Sequence, residues 1–170
     1  MKKIFYIVIF FLFINILNAE EKTVIMRLKS GTVEIELYSE VAPKHVERFK
    51  KLISEKRYDG VVFHRVIEGF MAQTGDVKFG NSNLDSFDLS KAGTGGSDYP
   101  DLKAEFSNLP HVRGTLSMAR SADPNSANSQ FFICFKATPH LDNQYTVFGK
   151  VIKGMEFVDL IKKGDGANGE

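Results

Sequence analysis

The chain has 170 residues, one domain's worth, and its 43% hydrophobic and 25% charged residues give an ordinary globular composition. Twenty-two Lys and Arg stand against 21 Asp and Glu, a balance that argues against nucleic acid and anionic membrane surfaces, both of which require clustered positive charge. A single cysteine, Cys134, leaves no internal disulfide.

In chain order, the first segment differs from the rest. Met1-Lys2-Lys3 is a short basic start, and Ile4 to Leu17 is apolar apart from Tyr6 and Asn15. Asn18-Ala19 then leads into the charged run Glu20-Glu21-Lys22. This is the layout of a secretory signal peptide over residues 1–19, cut after Ala19. An uncleaved anchor is the alternative, but the 14-residue apolar run falls short of the roughly 20 residues that span a bilayer. Cleavage would remove two lysines and no acid, so Lys and Arg fall from 22 to 20 against 21 acids and the net charge becomes −1.

Residues 20–170 then form the expected domain. Thr23 to Leu28 alternates, Lys29-Ser30-Gly31 signals a turn, and Val33, Ile35 and Leu37 alternate with polar partners, which together predict a hairpin with one apolar face. Pro43 suits the first position of a helix. Val46, Phe49, Leu52 and Ile53 follow at helical spacing, so about three amphipathic turns are expected before Tyr58-Asp59-Gly60. Val61 to Ile67 and Phe70 to Thr74 are strand-like. Residues 75–100 are rich in Gly and Ser and lack periodicity; a loop that long is usually functional. Gly114 to Ala119, Gln130 to Phe135 and Val147 to Ile152 are further strand candidates. A second short helix follows Gly154, and the chain from Lys163 reads as loop. Cys134, inside Phe131-Phe132-Ile133-Cys134-Phe135, reads as a buried thiol acting as a small hydrophobe. Many short strands with two helices predict a mainly β barrel or sandwich capped by helices.

Familiar catalytic constellations are absent. There is no Gly-x-Ser-x-Gly elbow, no His-Glu-x-x-His or Cys-x-x-Cys, and no Walker loop. His45, His64, His111 and His140 have no ligand-like spacing. What stands out is Phe63-His64-Arg65 followed by Gly69-Phe70-Met71-Ala72-Gln73. Later come Gly93-Thr94-Gly95-Gly96, Ser129-Gln130-Phe131-Phe132-Ile133 and Val147-Phe148-Gly149-Lys150-Val151. On an extended segment Gln130 and Phe132 share one face and Phe131 and Ile133 the other, so one face can fill a core while the other lines a site.

From about Thr23 to Glu170 these motifs, in this order, resemble a bacterial, exported member of the cyclophilin family of peptidyl-prolyl cis-trans isomerases. The resemblance implies an eight-stranded antiparallel barrel closed by two α-helices. This chain is expected to lack the last strand, leaving an open edge and a less stable barrel, because its sequence stops at Glu170. It implies Arg65 as the catalytic arginine, Phe70, Met71, Phe132 and Leu141 as walls of a proline pocket, and Gln73 and Gln130 as groups that position the substrate backbone. Ala119, Arg120 and Ser121 would hold the residues before the proline, and Gly93 would line the neighbouring groove. Three positions depart from the family: Arg120 stands where Asn is common, His140 where many members have the Trp that supports cyclosporin binding, and Tyr145 where His is common. His140 and Tyr145 are retained as substrate-binding positions, and weak cyclosporin affinity is expected. The implied function is isomerisation of X–Pro bonds in exported proteins. The implied partners are proline-containing polypeptides, with no cofactor, no metal, no nucleic acid and no stable membrane association after cleavage. The implied state is a periplasmic monomer. The alternative is a non-catalytic peptide-binding chaperone on the same fold. A hydrolase has no nucleophile–base pair in its favour.

Overall fold

Side-chain alternation between Thr23 and Leu37 builds the first two strands of the computed structural model, which describes residues 22–166 and 168–170. The leader expected over residues 1–19 lies outside them. Strands β1 (Thr23–Leu28) and β2 (Gly31–Leu37) pair antiparallel from Thr23 opposite Glu36 to Leu28 opposite Gly31. Only Lys29-Ser30 separates the paired ends, so the hairpin is the one the sequence predicts. Val33, Ile35 and Leu37 point to the core and are buried.

The remaining strands are β3 (Arg65–Ile67), β4 (Met71–Thr74), β5 (Thr115–Met118), β6 (Phe131–Cys134) and β7 (Val147–Lys153). Among the described residues they form one antiparallel sheet in the order β1-β2-β7-β5-β6-β4-β3. The described residues hold seven strands, against the eight that the resemblance implies for the family. The edge expected to be open is partly covered at β3. The amide of Val66 donates to Gly169 O at 2.6 Å, and Gly164 N donates to Val66 O at 3.1 Å.

Helix α1 (Pro43–Ser54) starts at the predicted proline and buries His45, Val46, Phe49 and Leu52. Phe49 meets the rings of Phe131 and Phe148 nearly edge-on, each at 5.2 Å between centroids. These residues belong to the main core, with Val33, Ile35, Leu116, Ile133 and Phe148. Ala42 at the helix N-cap offers no side-chain oxygen. The cap comes from far along the chain instead: the amides of Lys44 and His45 both donate to the Glu105 carboxylate at 3.1 Å. Helix α2 (Met155–Asp159) follows Gly154, whose φ of 83° is a left-handed turn beside the Thr32 and Val33 backbone.

The strand-like run from Val61 narrows to Arg65–Ile67. Val61 makes only an isolated bridge to Asn81, and the Val62 amide donates to Gly80 O at 2.9 Å. The main chain here pairs with the long loop, and Val62 O accepts from the Thr74 hydroxyl of β4 at 2.8 Å.

Candidate active site on the outer face of the sheet

Register alone assembles a row of chemistry. Arg65 on β3 lies opposite Gln73 on β4, Gln73 lies opposite Phe132 on β6, and Phe132 lies opposite Ser117 on β5. Directly paired residues share a face. Their neighbours Val66, Ala72, Ile133 and Leu116 therefore turn the other way and fill the main core. The next rung carries Ile67, Met71 and Cys134.

This outer face has an apolar cluster of its own. Met71, Phe132, Cys134 and Leu141 are buried together, with Ile67, Phe70, Ala119 and Tyr145 packed around them. The four predicted pocket walls, Phe70, Met71, Phe132 and Leu141, thus fall in one place, and Arg65 lies in the row beside them. Leu141 comes from a short 3-10 turn, Pro139–Leu141. Tyr145 meets Phe132 edge-on at 5.8 Å and 80°. His140 is exposed, with its ring 5.7 Å from that of Phe70. Burial pushes the Cys134 thiol up to about 11, so this cysteine is a packing residue of the cluster's floor and not a thiolate.

The two glutamines form one unit. Gln73 Nε2 donates to Gln130 Oε1 at 2.9 Å. Gln130 Nε2 in turn donates to the carbonyls of Gly93 and Gly95 at 2.9 and 2.7 Å. Gly93 through Gly96 are shaped by a residue to which sequence reasoning gave no role: Asp76, completely buried. Its Oδ2 accepts from the amides of Gly93 and Gly95 at 2.8 and 2.9 Å, and its Oδ1 from those of Lys78 and Phe79 at 3.0 and 2.9 Å. Gly93 has φ of 96°, and a Cβ there would stand 2.5 Å from the His64 ring. That ring lies under the loop with both nitrogens shielded and unpaired, and burial lowers its pKa. The fixed loop borders a groove of about 560 Å³ that runs past Gly93, Asn128, Ala119, Arg120 and Ser121.

Ala119 and Ser121 line that groove. The Arg120 side chain does something the sequence did not disclose. Its guanidinium sits 4.4 Å over the Tyr145 ring. It donates to Gln144 O at 3.2 and 3.0 Å, to Ser121 O at 2.9 Å and to Ala122 O at 3.3 Å. It staples two loops. Asn128 was also missed. It accepts from Ser97 N at 2.7 Å and donates to Tyr99 O at 2.9 Å, which holds the far bank of the groove. Nothing local in the sequence marks Asp76 or Asn128 as shaping this loop, because the partners through which they do so, Gly93 and Gly95 for Asp76 and Ser97 for Asn128, lie 17 to 31 positions away. An acid directly after Thr74-Gly75, at the end of a strand-like run, was the one available cue.

Comparison with known proteins agrees with this geometry. The family model described as cyclophilin type peptidyl-prolyl cis-trans isomerase/CLD matches residues 23–170. A probable peptidyl-prolyl cis-trans isomerase of Brucella suis is 63% identical over 147 residues, covering 86% of this chain and 74% of the relative. The human peptidyl-prolyl cis-trans isomerase-like 3 is 43% identical over 138 residues, covering 78% and 77%. Among solved structures, a Cryptosporidium parvum cyclophilin type isomerase crystallised in the presence of the dipeptide Ala-Pro superposes with a TM-score of 0.73. It shares 29% identity and covers 86% of this chain and 90% of that one. The row that register builds on the outer face thus sits in a sequence that matches one family from Thr23 to its last residue, and the chain belongs to the cyclophilin-type peptidyl-prolyl cis-trans isomerases.

Proposed function

We propose that this isomerase turns X–Pro bonds in exported polypeptides, with Arg65 as the catalytic donor and Phe70, Met71, Phe132 and Leu141 as the proline pocket. The observation that carries the assignment is the row Arg65, Gln73, Phe132 across three neighbouring strands, bordered by a buried apolar cluster. The Ala-Pro dipeptide present with the Cryptosporidium relative supports a short prolyl segment as the ligand.

The X–Pro bond resists rotation by roughly 18–20 kcal/mol because its nitrogen lone pair is delocalised. The planar amide is the more charge-separated state and is stabilised by water. Met71, Phe132 and Leu141, between 1% and 8% exposed, would strip that water and grip the ring. As the bond twists, the lone pair localises on nitrogen and becomes a hydrogen-bond acceptor. Arg65 donates to it there and gains strength only in the twisted state, so it lowers the barrier selectively. Gln73, fixed by Gln130, positions the substrate backbone, and the groove beside Gly93, Ala119 and Ser121 takes the residues before the proline. No covalent step is needed.

A protease-coupled assay on an X–Pro peptide tests this. Arg65→Ala is expected to lose at least about 10²-fold in kcat/KM, the size seen when one transition-state donor is removed. Turnover near wild type would reject the assignment. The basic start, apolar run and Ala19 boundary of residues 1–19 support export to the periplasm. N-terminal sequencing of the protein from its native cells should begin at Glu20, and a retained Met1 would refute cleavage.

A further inference from the structure

Asp142, His111 and Ser117 are joined in the order of a hydrolytic triad, yet they cannot serve as one. His111 Nδ1 donates to Asp142 Oδ1 at 2.9 Å, and Nε2 lies 2.9 Å from Ser117 Oγ. Ser117 has no exposed surface, and its hydroxyl donates to Thr146 O at 3.1 Å. No substrate can reach it. Buried polar groups are costly unless partnered, so a hydrogen-bonded array buried next to the pocket requires a reason.

We propose that His111 is a positioning residue of the isomerase site, a buried imidazole that sets the place of the Phe132 and Leu141 walls. The proposal rests on the assignment of those two side chains to the proline pocket. The His111 ring, 1% exposed, lies nearly parallel to the Phe132 ring, at 15° and 6.2 Å between centroids. It is pinned at both ends. Ser117 sits on β5 directly opposite Phe132, so the Nε2 contact ties the imidazole to the strand beside that wall. Asp142 follows Leu141 in the chain, so the Nδ1 contact ties it to the turn that carries the other wall. The main chain repeats the tether. His111 N donates to Asp142 Oδ1 at 2.8 Å, and Thr138 N donates to His111 O at 2.8 Å. An aliphatic side chain here could press against Phe132, but it could not fix Leu141 at the same time.

Kinetics of isomerisation on the full chain test this, with KM and kcat resolved separately. Asp142→Ala removes the tether at a half-exposed position and leaves the imidazole in the fold. It should raise KM about tenfold while kcat stays within about twofold, the pattern of lost ground-state binding. Asp142→Asn keeps an oxygen that accepts from both His111 N–H groups and should restore the wild-type KM. In aromatic NMR spectra, ring flips of Phe132 should speed up in Asp142→Ala and not in Asp142→Asn. His111→Phe should match Asp142→Ala in direction. A fall in Tm with KM, kcat and Phe132 flips unchanged would make the array merely structural and overturn the proposal. So would a loss confined to kcat. Phe132→Ala in the same assay isolates the underlying assignment: if it leaves KM unchanged, the pocket itself is wrong, whatever the His111 variants do.

Discussion

Four main-chain N–H groups converge on the carboxylate of Asp76, and through it the end of β4 holds the glycine loop beside Gln130. Removing that carboxylate leaves four part-buried donors without their acceptor. Asp76→Ala should cost about 3 kcal/mol or more, since each buried donor left unmade carries about 1–3 kcal/mol. Chemical denaturation measures it, and a loss below about 1 kcal/mol would contradict the role. His140 supports a second residue-scale prediction. It is exposed against Phe70, where a larger indole would extend the apolar rim. Wild type should bind cyclosporin weakly and His140→Trp more tightly in an inhibition titration; nanomolar inhibition of wild type would refute this. The sequence motifs disclosed the residues that gather on the outer face of the sheet. They did not disclose Asp76, Asn128 or His111, which act through partners distant in the chain. Nor did they disclose the contacts of the Arg120 side chain, whose guanidinium is taken up by Gln144, Ser121, Ala122 and Tyr145.

Elements with local causes were legible, and elements with distant causes were not. The β1–β2 hairpin and α1 follow from alternation, a turn signal and a proline, all contained in their own segments. By contrast, Val61 to His64 reads as strand by composition but pairs with the loop around Gly80 and Asn81. Residues 75–100 carry no period because their order comes from Asp76 and Asn128. The cap of α1 is also imported. Glu105 accepts from the amides of Lys44 and His45, and its Oε2 lies 2.6 Å from His45 Nδ1. A carboxylate at a helix N-terminus satisfies donors that the helix itself cannot and is favoured by the helix dipole. Glu105→Ala should therefore destabilise the protein by about 1–2 kcal/mol, the upper range for a lost N-cap, read as a lower denaturation midpoint. Glu105→Gln should lose less, since its amide oxygen still accepts. An unchanged midpoint in Glu105→Ala would show that α1 does not depend on this cap.

One sheet divides the whole molecule into two apolar regions, a core around Phe49, Phe131 and Phe148 and a smaller cluster around Phe132. The period-2 pattern of β6 contained that division, and the register of β3 and β4 completed it. Two imidazoles couple the fold to pH. Burial holds His45 and His64 below their ordinary value of 6.5, so the folded protein keeps them neutral while the unfolded chain protonates them. Below that value the unfolded state binds more protons, and stability falls as pH drops. The urea midpoint should decline between about pH 7.5 and about pH 5.5, and a midpoint that holds or rises would contradict the sign.

All of this places Arg65 on the same sheet face as an apolar cluster. NMR exchange on an X–Pro peptide bound at saturation measures that pairing most directly, because it reports the cis–trans rate on the enzyme apart from affinity. Arg65→Ala should slow the bound exchange about 10²-fold while the peptide Kd changes little. Bound exchange in the variant as fast as in wild type would contradict the account.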